Sequence, residues 1–137
     1  MNEDNITIYN KYYDRENGFD KYIKTTIYNV DWQGMTGVKL NEKRGLLSDD
    51  IVNVYIDYNS TCNGNQYLKP KIFEQLSNIE KNNYFTFNNG DIIVFGIIDF
   101  ELSGKNLKRL RESYDDVVTV TKIKECNLTR HWELECN

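Results

Sequence analysis

The chain has 137 residues, with 17 basic against 21 acidic side chains and a formal net charge of −4. A chain of this length supports one domain with a single hydrophobic core, which we assign to residues 1–137. The acidic balance argues against a general binder of nucleic acid or of anionic membranes, because such proteins present a basic excess.

The first half of the chain alternates between strand patterns and polar segments. Residues 5–13 alternate apolar and polar side chains, which predicts a first strand. Residues 20–33 keep the same period over an unusual length, which predicts a ribbon extending beyond the core. A third strand is predicted at 51–58, and we interpret the polar residues 41–50 and 59–69 on either side of it as inserted loops.

The middle of the chain contains the most prominent apolar run. Residues 92–98 carry no charge, which predicts a strand covered on both faces, and Gly96 within it predicts a bend. Turn residues at 88–91 precede this run, and a short strand pattern at 84–87 precedes the turn. We therefore predict a hairpin between these two strands. Further upstream, Pro70 suits the first position of a short helical segment.

The last third of the chain combines a helix with two strands. A helix is predicted at 103–114, because Leu107, Leu110 and Tyr114 fall on one face. Two further strands are predicted, at 117–123 and 128–136. Strand patterns dominate throughout. We therefore predict a mainly β fold, a small β-barrel or sandwich with extended ribbons and loops and one short α-helix inserted late in the chain.

The chain offers few residues for catalysis or metal binding. His131 is the single histidine, and its neighbours Arg130 and Trp132 supply no nucleophile for a hydrolytic triad. Cys126 and Cys136 each lie five residues from His131, which on one strand would place the histidine on the opposite face from both. Three residues also fall short of the four ligands of a structural zinc site. We therefore predict no catalytic residue, no metal and no cofactor.

The cysteines and the chain ends predict the cellular setting. The polar, acidic start of the chain is the opposite of a signal peptide, so we expect three reduced thiols in a cytoplasmic setting. No stretch approaches the roughly 18 apolar residues of a membrane span, so no membrane partner is expected.

Two charged segments are candidates for contact with partners. One is the polar loop, whose charged residues are Lys43, Arg44, Asp49 and Asp50. The other is the basic part of the late helix, formed by Lys105, Lys108, Arg109 and Arg111. Each is explained most simply as a solvated surface. The alternatives are a loop that faces a subunit or an anionic channel, and a helix that contacts a subunit or a phosphate backbone.

Several pieces of the sequence, taken in order, resemble small proteins encoded in the head–tail connector region of tailed phages that infect Gram-positive bacteria. The most recognisable is 90–96, a Gly-Asp pair followed by an apolar strand that closes on glycine. At 67–73 the chain is similar to a short motif of that group, although Pro70 is displaced from the usual place. The other similar pieces are 6–11, 22–32, 114–121 and the pair His131 and Trp132.

The resemblance implies a component of the virion neck, assembled in the host cytoplasm. Its expected role is that of a head-completion, stopper-like protein, a homo-oligomeric ring between the portal or adaptor and the tail. Genomic DNA would pass through the ring without sequence recognition, and no catalysis is implied. Either loop, 41–50 or 59–69, would then face the channel or a neighbouring subunit.

Three other functions stay open at this point. One is a tail-terminator protein that caps the tail tube. The second is a small nucleic-acid-binding β-barrel that uses surface Tyr and Phe side chains as stacking platforms. The third is a thiol-dependent enzyme that uses Cys126 or Cys136.

The acidic end of loop 41–50 generates a testable prediction. Carboxylates that line a narrow channel repel DNA phosphates and let DNA slide. We expect Asp49→Lys combined with Asp50→Lys to make DNA adhere and to slow its ejection from assembled virions. The matched control is the same double change at Asp115 and Asp116. Unaltered DNA retention and ejection would contradict the prediction.

Overall fold

The computed structural model describes residues 3–35, 51–60, 62 and 64–137. The described chain is mainly β, which confirms the predicted fold class. The strands are β1 (Asp4–Asp14), β2 (Phe19–Met35), β3 (Ile51–Asp57), β4 (Gln66–Tyr67), β5 (Tyr84–Phe85), β6 (Ile92–Phe95), β7 (Val117–Cys126) and β8 (His131–Cys136). The helices are α1 (Pro70–Glu74), α2 (Asn78–Lys81) and α3 (Leu107–Ser113). None of these three helices has the length and apolar composition to cross a bilayer.

Six of the described strands close into an antiparallel barrel in the order β1–β2–β3–β8–β7–β6. Alternating side chains of each strand point into it, as the period-two patterns predict. In β3, for example, Val52, Val54 and Ile56 are buried, and the residues between them are not. The barrel interior is therefore a packed apolar core, which makes the barrel a rigid body.

A second apolar cluster lies outside the barrel, where α3 packs against β1 and β6. Leu110 is fully buried there against Tyr9, Ile92 and Val94. Because the interior core covers one face of β6 and this cluster covers the other, Ile92, Ile93 and Val94 are all buried in succession. This confirms the prediction of a strand covered on both faces.

The predicted hairpin between 84–87 and 92–98 is wrong. β5 pairs in parallel with β4, whereas β6 pairs with β1 and β7. The aromatic residues before the turn pack against one another instead of forming a ladder with β6: Phe87 contacts Trp132 with ring centroids 5.1 Å apart. The strand also ends earlier than predicted, because Gly96 takes a φ of +95° and turns the chain away.

The late helix begins at Leu107, and Ser103 does not cap it. Ser103 instead forms an isolated bridge with Lys21 of β2, which holds the chain extended at that point. The Oδ1 atom of Asn106 accepts a hydrogen bond from the Ser103 N–H at 2.7 Å, and the helix follows directly. The predicted apolar face is confirmed, since Leu110 is buried and Leu107 packs partly buried beside it.

A buried carboxylate connects β1 to the turn before β6. Asp91 is only 1% exposed. Its Oδ2 atom accepts hydrogen bonds from Asn10 Nδ2 and from the Asn88 N–H, each at 2.8 Å. Its Oδ1 atom accepts one from the Lys11 N–H at 3.0 Å. Asn10 continues the network, because its Nδ2 also donates to the Thr86 carbonyl at 2.6 Å. Burial raises the pKa of Asp91 to about 7, although these donors oppose the shift.

Removing the Asp91 carboxylate should lower the stability of the barrel. Asp91→Ala leaves the N–H groups of Asn10, Lys11 and Asn88 without their acceptor. We expect the free energy of unfolding in urea to fall by about 3 kcal/mol or more. Asp115→Ala, at an exposed position, is the matched control and should change it by less than about 0.5 kcal/mol.

The same carboxylate predicts a pH dependence of stability. Because the pKa of Asp91 in the folded chain, about 7, lies above its unfolded value, the folded state binds the proton more tightly. The stability that this group contributes is present below about pH 4 and is lost as the pH rises through its folded pKa. Urea unfolding at a series of pH values should therefore show a downward slope that Asp91→Asn flattens. An equal slope in both proteins would contradict the assignment.

Candidate interaction surface

β1 and β2 form a ribbon that extends past the part of the barrel where β6 pairs with β1. The two strands pair in register as far as Asp14 and Phe19, whereas β6 pairs with β1 only from Ile6 to Tyr9. β2 has 17 residues, in agreement with the predicted long strand. The outer residues of both strands therefore form a two-stranded projection.

Buried hydrogen bonds hold the tip of this ribbon in place. The Asp14 side chain is fully buried. It accepts a hydrogen bond from Asn17 Nδ2 at 2.6 Å and forms an ion pair with Lys21 Nζ at 2.9 Å. Asn78 of α2 donates to the same carboxylate at 3.2 Å, which ties the ribbon to the helices. The hydrogen bonds from Asn17 and Lys21 hold the pKa of Asp14 well below its usual range.

A buried lysine makes the second connection between the ribbon and the helices. The Nζ atom of Lys81 donates to the Leu76 carbonyl at 2.6 Å. The same ammonium lies 5.3 Å from the ring centre of Tyr12 in β1 and 5.6 Å from that of Phe73 in α1. Burial lowers the pKa of Lys81. Both rings favour its charged form, and so does the carbonyl.

An open groove of about 1020 Å³ lies between the ribbon tip and helices α1 and α2. We call it the ribbon groove. Two of its lining residues are exposed apolar side chains, since Tyr13 is 60% exposed and Ile79 is 81% exposed. Its charged lining is mixed, with Arg15 on the ribbon and Glu74 on α1. Apolar anchors within a polar rim are typical of a protein-binding surface.

A second exposed apolar surface lies at the opposite end of β1. Phe95 is 40% exposed and Ile97 is 56% exposed. The Phe95 ring meets Trp32 edge-on with centroids 5.2 Å apart. These three residues are called the Phe95 patch below. Phe95 pairs with Ile6, which lies seven residues or about 23 Å along the strand from Tyr13 at the ribbon groove.

The four basic residues of the segment 105–111 are exposed, but two of their side chains make contacts within the chain. Arg109 lies over the Phe100 ring at 5.4 Å, and Arg111 donates to Thr119 Oγ1 at 3.1 Å. Lys105 precedes α3 and Lys108 lies on it, both exposed. The structure thus brings the four residues onto one exposed segment, and its contacts favour the interpretation of an ordinary solvated helix.

The two candidate loops differ in what the structure describes. Lys43, Arg44, Asp49 and Asp50 lie outside the described residues, so their role as a channel or subunit contact stays a prediction. The described part of 59–69 packs on its own barrel. Cys62 forms an isolated antiparallel β-bridge with Ile27 of β2, and Asn65 Nδ2 donates a hydrogen bond to Thr25 Oγ1 at 2.9 Å. The Tyr67 ring packs against Trp132 at an interplanar angle of 46°, with ring centroids 4.6 Å apart.

The prediction that His131 lies on the opposite face from both cysteines is wrong for Cys126. A turn at 127–130 reverses the chain, so Cys126 and His131 are cross-strand partners with side chains on the same face. Glu133 joins them: its Oε2 atom accepts a hydrogen bond from Cys126 Sγ at 3.1 Å and lies 3.0 Å from His131 Nε2. Of these two cysteines, Cys136 alone lies on the face of β8 opposite His131, where it is buried in the barrel core.

These contacts lower the pKa of the Glu133 carboxyl and raise the pKa of the Cys126 thiol. The hydrogen bond that Cys126 donates lowers the pKa of Glu133, and the contact with His131 lowers it further. The same carboxylate raises the pKa of the Cys126 thiol. The thiol is therefore protonated at neutral pH, which disfavours its use as a free nucleophile.

Comparison with protein families places the whole chain in one of them. A family model described as "Family of unknown function (DUF6751)" matches residues 1–137. The chain belongs to this family. No curated protein and no solved structure matches it.

The contacts of Lys81 should contribute to the stability of the ribbon groove. Lys81→Ala in the DUF6751 chain removes the hydrogen bond to the Leu76 carbonyl and the contacts with Tyr12 and Phe73. We expect the free energy of unfolding to fall by about 2 kcal/mol, and amide exchange of α2 to accelerate. The matched control is Lys108→Ala, which removes an exposed lysine of α3 and should leave both unchanged. Equal effects of the two substitutions would contradict the role of Lys81.

Proposed function

We propose that this DUF6751 chain is a ring-forming structural protein of a phage neck, a head-completion, stopper-like subunit that joins the portal or adaptor to the tail. The observation that carries the proposal is the presence of two different exposed apolar surfaces on one protomer, the ribbon groove and the Phe95 patch. A closed ring needs two such surfaces on each subunit, because every copy docks head-to-tail on the next.

The position of these surfaces supports docking between copies. Phe95 is paired near one end of β1 and Tyr13 lies about 23 Å further along the strand, so each copy presents the two surfaces separately. Both surfaces contain bulky apolar side chains, which supply most of the binding energy when a partner covers them. The packed barrel between them transmits load as a rigid body.

The buried contacts of the ribbon make its groove ready to bind. Asp14 and Lys81 hold the tip and the two helices together in the single chain. A neighbour that docks there therefore does not have to order the groove, which reduces the entropic cost of association. This saving applies at every interface of a ring, because each interface contributes its own free energy of association.

The element with the strongest resemblance to phage connector proteins is architectural in this chain. Asp91 of the Gly-Asp pair is the buried carboxylate that joins β1 to the turn before β6. The resemblance therefore supports a common kind of barrel. The neck function itself is tested through assembly and through location in the virion.

Head-to-tail docking predicts how two complementary variants behave. Phe95→Asp destroys the patch and keeps the ribbon groove, and Ile79→Asp does the reverse. Each variant alone should self-associate about 10- to 100-fold more weakly, because losing one buried large apolar side chain costs roughly 1.5–3 kcal/mol. A mixture of the two should form a dimer of one copy of each that cannot grow, measured by sedimentation velocity.

The control for this experiment is Leu128→Asp. Leu128 is fully exposed at the β7–β8 turn, away from both surfaces, so its loss should leave ring formation unchanged in negative-stain images. A wild-type chain that stays monomeric at high concentration would contradict ring formation. Variants that assemble as well as the wild type would contradict the assigned surfaces.

The location in the virion separates the neck function from its closest alternative. Antibody labelling of virions that contain the chain should mark the junction of head and tail, and the chain should copurify with DNA-filled heads. Copurification with free tails instead would identify a tail terminator. Absence from purified virions would remove the proposal.

A further inference from the structure

Three metal-ligating side chains converge on the outer face of the β7–β8 hairpin. A Cys126 sulfur, a His131 ring nitrogen and a Glu133 carboxylate oxygen all lie within 4.8 Å of one another. Within the described residues, these three form the one group of cysteine, histidine and acidic side chains whose ligand atoms lie this close together. All three residues are half-buried, so they are shielded from bulk water and open to an ion.

The separations suit a small tetrahedral ion. Zinc binds sulfur at about 2.3 Å and nitrogen or oxygen at about 2.0–2.2 Å, so neighbouring ligand atoms around it are roughly 3.4–3.6 Å apart. Here Cys126 Sγ is 3.1 Å and His131 Nε2 is 3.0 Å from the same oxygen of Glu133. Widening these contacts by about half an ångström would admit the ion, which side-chain rotation can supply.

The backbone holds the three residues in place before any ion binds. Cys126 and His131 face each other across the strand pair, and Glu133 follows two residues later on the same face. Trp132 between them is anchored in the barrel core. The turn is also secured, since the Tyr58 N–H donates to the Arg130 carbonyl at 3.0 Å and the Tyr58 hydroxyl contacts Asn127 at 2.7 Å.

We propose that Cys126, His131 and Glu133 bind one divalent transition-metal ion of the zinc type, with a water molecule at the fourth position. Thiolate, imidazole and carboxylate together select such ions over magnesium and calcium, which prefer oxygen ligands alone. On binding, the ion would displace the thiol proton of Cys126 to solvent and replace the present hydrogen bonds to Glu133. It would thereby link β7 to β8 next to the turn at 127–130.

The local charges favour the ion in spite of a nearby lysine. Lys124 is the cross-strand partner of Glu133 and brings a positive charge close to the cluster. The metal-bound thiolate of Cys126 and the carboxylate of Glu133 carry two negative charges against this single positive one. The Lys124 side chain is exposed and can turn its ammonium into solvent.

Cobalt titration of the full chain tests the site directly. Co²⁺ bound to a thiolate gives a sulfur-to-metal charge-transfer band, and tetrahedral coordination gives intense visible bands. We expect both in the wild type with a stoichiometry of one, and we expect Zn²⁺ to displace the cobalt and to raise the melting temperature. Cys126→Ser should abolish the charge-transfer band. His131→Ala and Glu133→Gln should each weaken Zn²⁺ binding by more than about 100-fold, beyond the loss typical of outer-shell partners.

Two variants on comparable positions serve as controls. Cys62→Ser removes a different half-buried thiol, and Glu135→Gln removes the next outward-facing carboxylate of β8. Both should bind metal like the wild type. Circular dichroism without metal should show that every variant is folded. Absence of the charge-transfer band in the wild type, or equal Zn²⁺ binding by the wild type and Cys126→Ser, would overturn the proposal, whatever the outcome of the ring experiments.

Discussion

The barrel depends on the contact between Asp91 and β1. Asn10 and Asp91 are 81 residues apart in sequence, and their side chains join at 2.8 Å inside the protein. Bringing such distant segments together costs loop-closure entropy, and burying a carboxylate adds a desolvation cost. Three N–H donors aimed at the carboxylate recover part of these costs. A shift of β1 against β6 by one residue would break all of them, so the contact specifies the register in which the barrel closes.

The same contact marks the place where the ribbon begins. β6 pairs with β1 as far as Tyr9, and Asn10 is the next residue. Asp91 accepts hydrogen bonds from the Asn10 side chain and the Lys11 N–H. Beyond this point β1 continues outward, and β2 is the one barrel strand that pairs with it. The ribbon of the candidate interaction surface therefore begins where Asp91 fixes β1. A projecting ribbon attached at such a point can keep its direction without a partner, which is what docking on a neighbour requires.

The sequence predicted what short-range patterns determine. Period-two alternation predicts β1, β2 and β3, the uncharged apolar run predicts β6, and the length of the alternating pattern in β2 predicts the ribbon. Patterns failed where a distant contact decides the outcome. The residues 84–87 look like the first arm of a hairpin, yet Phe85 and Phe87 are used to fill the end of the barrel beside Trp132. The turn chemistry before Asp91 was recognised, but its carboxylate binds β1 across the fold, which no local pattern shows.

Two of the missed features had signals in the sequence. α2 begins with a capping box, in which Ser77 Oγ accepts from the Glu80 N–H at 3.2 Å and Glu80 accepts from the Ser77 N–H at 3.0 Å. A serine followed three residues later by glutamate predicts such a start. The cluster around His131 was missed because the spacing of five was measured along one strand. Reading 127–130 as a turn places Cys126 opposite His131 instead.

Side-chain contacts hold both the tip of the β1–β2 ribbon and the turn end of the β7–β8 hairpin. The ribbon tip lies beyond the pairing of β1 with β6, whereas β8 stays paired with β3 as far as His131. In the β1–β2 ribbon, the buried charges of Asp14 and Lys81 bind the tip to α2 and its flanking residues. The β7–β8 hairpin presents a thiol, an imidazole and a carboxylate on one face next to its turn. Hydrogen bonds among these groups are individually weak at a half-exposed position, since water competes for each of them. A metal ion there would bind all three at once, so it would give this hairpin the rigidity that buried charges give the ribbon.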